Sequence, residues 1–227
     1  AVRTDARRHG LPTDPTSLWR SWSLLRDEPR IRRLLTANAL WELSLGALKT
    51  FVVLFITDGL GRSSQIASVA LSVVAVGVVV SAFAAGPLAS RYGHREVLTW
   101  AAVIYAAGLV VPIFVHSLLF LVALFPLAVA AGIVMTLPYA LMMDLMPDAD
   151  HGAGAGAFEA SRGAGVVLGP VLAGIAVQTL GGVFESTEGY AAMFVVAAAA
   201  VLLSVPLVRR AFDQEAVIAV SPSNSGG

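Results

Sequence analysis

The chain has 227 residues, of which 57% are hydrophobic and 13% charged, and its mean hydropathy is +0.78. Soluble domains carry about a quarter charged residues, and a water-soluble fold of this length does not hide so much apolar surface. Formal net charge is zero and cysteine is absent, which excludes disulfides, thiol nucleophiles and Cys-ligated metals and leaves no basic footprint for nucleic acid. Long uncharged stretches alternate with clusters of arginine, the pattern of an all-α membrane protein whose partner is the lipid bilayer.

Residues 1–33 are polar and Arg-rich, with Pro12, Pro15 and Pro29, and read as a cytosolic linker. Trp19 and Trp22 within Ser17–Leu25 suit an interfacial helix at the headgroup level or a solvated linker equally well. Asp27, Glu28 and Pro29 then supply helix-start chemistry, with acids near the positive dipole end and proline in the first turn. A span needs about 20 apolar residues to cross roughly 30 Å of hydrocarbon. Six such stretches lie within a domain over residues 34–210, namely Leu35–Thr57, Ile66–Leu88, Val97–Val115, Leu118–Met143, Gly154–Leu180 and Tyr190–Val208. The remainder, 211–227, reads as a cytosolic tail that ends in a disordered Ser/Gly/Asn-rich segment.

Basic residues set orientation. Eight in the N-terminal segment, two after the second span and two after the sixth place twelve on one face, whereas the opposite loops hold only Arg62. This predicts cytosolic N- and C-termini. Lys49 is the single lysine, and Ala, Val and Gly dominate the spans; the bias suggests a GC-rich bacterial genome and therefore the inner membrane of the cell.

In the first span Asn38, Glu42, Leu45 and Lys49 recur at steps of four, three and four, so they share one helix face. Ionisable groups in a span cost roughly 2.5–3.5 kcal/mol each on insertion scales and normally face a wet cavity or a partner. Glu42 and Lys49 lie about 10 Å apart along the axis, too far for an easy direct pair. The alternative for Lys49 is snorkelling to the interface.

The turn after the second span reads Gly86-Pro87-Leu88-Ala89-Ser90-Arg91-Tyr92-Gly93-His94-Arg95. It resembles the Gly-x-Leu-Ala-Asp-Arg-x-Gly-Arg-Arg clamp of the major facilitator superfamily, with six of eight fixed positions matched: Gly86, Leu88, Ala89, Arg91, Gly93 and Arg95. Ser90 stands where the family has its acid, and His94 where it has a basic residue. Gly86 and Gly93 are expected to permit close turns, with the arginines against lipid headgroups or helix ends. The resemblance implies two inverted three-helix repeats forming the C-terminal half of a transporter. It further implies an N-terminal six-helix half as partner, a small-molecule substrate with protons as a coupling ion, and a clamp that helps close the cytosolic gate. It also places the first span at the cavity, which makes Asn38, Glu42 and Lys49 candidate substrate or coupling residues.

The fourth span carries Pro126 and Pro138 and reads as broken at both; the resemblance implies that this span lines the cavity, which makes Tyr139, beside the second proline, a candidate substrate contact. Asp150 is a candidate N-cap for the fifth span. That span holds Glu159 and Arg162 three residues apart, able to pair locally and, with Glu42 and Lys49, to form a formally neutral network of two acids and two bases. The alternative is a purely structural ion pair. Gly165-x-x-x-Gly169 is a small-residue seam for close helix packing, and Gly169-Pro170 reads as a further break.

No His-Glu-x-x-His pair exists, and His9, His94, His116 and His151 lie outside the spans, so no enzymatic site, metal or cofactor is expected. The alternative to secondary active transport is a non-transporting membrane scaffold, or a truncated half-transporter.

Overall fold

The computed structural model describes residues 28–117, 119–147 and 150–219, with the side chains of 213–219 excepted. Six helices among them are long and apolar enough to cross a membrane. They are α1 (Pro29–Leu54, extended by a π-helical turn Phe55–Gly59), α2 (Ser64–Tyr92), α3 (His94–Phe114), α4 (Phe120–Asp144), α5 (His151–Leu180) and α6 (Ala192–Ala219). No strand occurs among the described residues.

The helix ends follow local chemistry. α1 starts with Pro29 in its first turn, where a missing N–H costs nothing. Gly93, at φ +85°, makes the whole turn between α2 and α3. Asp150 holds the N-cap position of α5 but makes no capping bond with its side chain. Instead His151 Nε2 donates to the carbonyl oxygens of Met143 and Met146, at 3.0 and 3.1 Å, and so satisfies the end of α4 from the start of α5.

Three expectations need correction. α4 is continuous through Pro126 and Pro138, and α5 through Pro170. Prolines persist inside membrane helices because neighbouring helices and local adjustments re-satisfy the freed backbone groups. Gly86 is a helical residue within α2 rather than a turn. α6 runs on to Ala219. Trp19, Trp22 and residues 220–227 lie outside the described residues.

Packing shows how the bundle is built. α1 lies mainly against α5 and α6, α4 mainly against α2 and α3, and α3 against α6. Exchanging α1 with α4, α2 with α5 and α3 with α6 maps each of these contacts onto another in the set. Glycines extend the correspondence to single residues. A Cβ on Gly165 of α5 would meet Ala39, Glu42 and Leu43 of α1, the residues seven, four and three before Gly46. A Cβ on Gly77 of α2 would meet Phe125, Ala128 and Val129 of α4, at the same distances before Gly132. Gly46 in turn approaches Val166, the residue after Gly165, and Gly132 approaches Val78, the residue after Gly77. The two crossings are equivalent within a pseudo-two-fold arrangement of two three-helix repeats. Three spans per repeat invert the second with respect to the first.

Small residues set these crossings because lipid is as apolar as a leucine side chain, so helices associate through close packing. Larger side chains fill the space between crossings. Phe55 meets Phe194 and Phe120 edge-on, with ring centroids 4.8 and 6.3 Å apart, while Trp41 and Tyr105 are fully buried. Tyr105 Oη and Ser44 Oγ hydrogen-bond at 2.9 Å, which satisfies two hydroxyls buried in an apolar interior. Arg33 donates to the carbonyl oxygen of Arg210 at 2.8 Å, so the start of α1 and the end of α6 sit on one side of the bundle. α2 and α5 are the least covered, with 22% and 17% of their most apolar stretches buried.

Candidate functional site

The charged residues of the spans gather at the α1–α5 crossing. Gly165 and Gly169 carry no side chain where a Cβ would strike the carbonyl oxygens of Ala39 and Leu43. The two backbones therefore touch beside Glu42. One helical turn before Gly165, Arg162 is thereby brought to Glu42, with Nε 3.2 Å from Oε1. On its other side Arg162 Nη1 lies 3.6 Å from Glu159 Oε1, within the same helix. Its guanidinium bridges an acid from each repeat.

The two acids differ in setting. The Glu42 side chain is 5% exposed and that of Glu159 63%. Glu42 Oε2 is buried and has no hydrogen-bond partner among the described residues. A second polar link joins the same helices a turn away: Asn38 Nδ2 donates to Ser161 Oγ at 2.9 Å, and Ser161 Oγ donates to the Phe158 carbonyl oxygen at 2.7 Å. Tyr139, from α4, sets its ring edge-on to Phe158 with centroids 5.2 Å apart, so a third helix borders the polar patch through an aromatic contact.

Of the residues singled out in the sequence, Asn38, Glu42, Tyr139, Glu159 and Arg162 come together here. Lys49 does not join them: it is exposed and forms no ion pair among the described residues. Two turns along α1 put it beyond ion-pair distance of both acids, so the ion pairs of the network join two acids and one base. Ser161 and Phe158 were missed. A serine back-bonded to its own helix and one more phenylalanine in an apolar span carry no signal until α1 and α4 are placed against them.

The pseudo-two-fold arrangement supplies a control for the ion pair. At the α2–α4 crossing the residue equivalent to Glu42 is Ala128, and the one equivalent to Arg162 is Val74. The same glycine-mediated approach forms there with no charge, so the ion pair is not what makes the crossing.

At the clamp, Ser90 Oγ donates to the Gly86 carbonyl oxygen four residues back, at 3.0 Å, and so stays on its own helix. Arg91 lies over the Tyr92 ring, 5.3 Å from its centroid, and Leu88 lines an apolar groove on that side of the bundle.

Comparison with individually curated proteins finds no match. The sequence pattern of the Major Facilitator Superfamily, however, matches residues 34–225, which takes in all six spans and the candidate site. The chain is a multi-pass membrane protein of transporter type, and it belongs to the Major Facilitator Superfamily.

Proposed function

We propose that this chain forms one wall of a secondary active transporter working by alternating access, with Glu42 as the carboxylate that links proton movement to solute movement. The observation that carries this is the contrast between the two crossings: Glu42 and Arg162 are charged where the equivalent Ala128 and Val74 are apolar, although the glycine approaches at Gly165 and Gly77 match. Buried charge is expensive in a span and is kept where it serves an ion or substrate path.

Two neutral arrangements are available to Glu42. In one, Arg162 compensates the carboxylate through Oε1. In the other, a proton on the carboxylate releases Arg162 toward Glu159 or toward an anionic group on the solute. Because Glu42 and Arg162 belong to different repeats, sliding of α5 over α1 along the glycine seam changes their separation, which is the requirement for coupling. Asn38, Tyr139 and Glu159 supply hydrogen-bonding and aromatic surface for a small polar solute.

Proteoliposomes given a pH gradient and a panel of labelled sugars, amino acids and organic ions test the role of Glu42. Glu42→Gln is expected to abolish gradient-driven accumulation while solute exchange at equal pH persists. Accumulation as in the parent protein would remove Glu42 from the mechanism.

The exposed charges of Lys49, Glu159 and Arg162 are costly against lipid. We infer that an N-terminal six-helix half of the same transporter covers this face, leaving a wet path between. The twelve-to-one distribution of basic residues supports cytosolic ends for this chain, and the single lysine with Ala-, Val- and Gly-rich spans supports a bacterial inner membrane. With no native cysteine, single substitutions report topology. Ser63→Cys should react with an impermeant maleimide added to intact cells, and Ser90→Cys only after the cells are opened; the reverse pattern contradicts the orientation.

A further inference from the structure

The charges on the α1–α5 face are not equally accessible. Lys49 is exposed, and the side chains of Arg162 and Glu159 are 45% and 63% exposed, whereas that of Glu42 is 5% exposed. A solute approaching this face therefore meets two cations and one anion. Glu159 lies beside Arg162, while Lys49 forms no ion pair among the described residues. The unbalanced charge offered to a solute is the Lys49 ammonium.

Between the two cations the surface is apolar. Lys49 stands two turns after Glu42, about 10 Å along α1, and Arg162 is held at Glu42. Leu45, half-buried, occupies the same face of α1 between them. Val166, 39% exposed, follows Arg162 by one turn of α5 and lies against Gly46. A molecule laid along this surface meets an ammonium at one end, a guanidinium at the other and aliphatic side chains between.

Formal charge narrows the class of solute. With Lys49 and Arg162 against Glu42 and Glu159, the empty face is neutral. A proton on Glu42 leaves it with one positive charge. A neutral solute would not change that and a cationic one would add to it, whereas a monoanion restores neutrality. Uncompensated charge at membrane depth is costly, so proton and anion favour each other's binding. We propose that the solute is an organic monoanion with an apolar body, its carboxylate on the Lys49 ammonium and its body along Leu45 and Val166 towards Arg162. The charge balance rests on the reading of Glu42 as the proton carrier; the place of the carboxylate rests on Lys49. A lysine that only reaches for the membrane interface would have no part in binding, which separates the two roles by experiment.

The test is calorimetric titration of the purified protein in detergent, without any gradient, using phenylpropionate, phenylpropionamide and phenylpropylamine. These share one body and carry a negative, no and a positive charge. Phenylpropionate should bind about tenfold more tightly than either competitor. Repeating the titration in two buffers of different ionisation enthalpy should show about one proton taken up per anion. Lys49→Gln should bring phenylpropionate down to the level of its amide, and Lys49→Arg should keep the preference. Glu42→Gln should keep the preference and remove the proton uptake. Equal affinity for acid and amide, preference for the amine, or an acid preference that survives Lys49→Gln would overturn the assignment. Preference for the acid with no proton uptake in the parent protein would uphold the anion at Lys49 and contradict the role given to Glu42, so the two readings fail separately.

Discussion

A single guanidinium decides the character of the α1–α5 crossing. Arg162 neutralises a carboxylate whose second oxygen is buried without a partner among the described residues. Arg162→Ala therefore leaves Glu42 uncompensated and should cost about 1–3 kcal/mol of stability, read as a lower thermal midpoint in detergent. The double variant Glu42→Gln/Arg162→Gln should recover much of that loss, with a coupling of about 0.5–3 kcal/mol; additive losses would show that the pair is not energetically linked. Glu42 and Lys49 were legible as polar positions on one face, because a step of seven is two helical turns. Their partners were not, since which base reaches Glu42 depends on how closely α5 approaches α1. Glycines behave as differently as their surroundings. Gly93 sits at φ +85°, so Gly93→Ala should destabilise by about 1–3 kcal/mol. Gly86→Ala, in a helix and with open space around the missing Cβ, should be neutral or mildly stabilising, by up to about 1 kcal/mol. Similar midpoints for the two variants would contradict this reading.

At the scale of the element, the glycine seam of α5 fixes both packing and chemistry. A Cβ on Gly165 or Gly169 meets backbone atoms of α1, which cannot turn aside as a side chain can. Gly165→Leu should separate the helices, break the Glu42–Arg162 pair and lower the thermal midpoint by more than Arg162→Ala alone; an unchanged midpoint would mean the helices do not touch there. The seam was legible from its small-xxx-small spacing, and the spans from their length and lack of charge. The proline positions misled because propensity in water treats proline as a helix breaker, whereas α4 and α5 continue through theirs within a bundle that supports them. The apolar groove had no counterpart in the sequence, because it comes from α2 and α3 standing apart on α4, a property of three helices rather than of any one.

For the whole molecule, the segregation of arginine and apolar residues was enough to read six helices and their common end for both termini, and Arg33 bonded to the Arg210 carbonyl agrees with that. The resemblance at the α2–α3 turn pointed to inverted repeats, but their residue-by-residue correspondence was hidden. Ala128 and Val74 share no chemistry with Glu42 and Arg162, and only the glycine contacts align them. That asymmetry supports a symmetric scaffold with charge added to one crossing, the face that we propose lies opposite a second half across a water-filled path. The most direct test of that path is the accessibility of position 49. Lys49→Cys in inside-out and right-side-out vesicles should react with a hydrophilic, impermeant thiol reagent from either side as the protein alternates. Leu203→Cys, exposed among apolar neighbours on α6, should stay unreactive from both. If Lys49→Cys is as silent as Leu203→Cys, or reacts from one side under every condition, the charged face is not the wall of an alternating path.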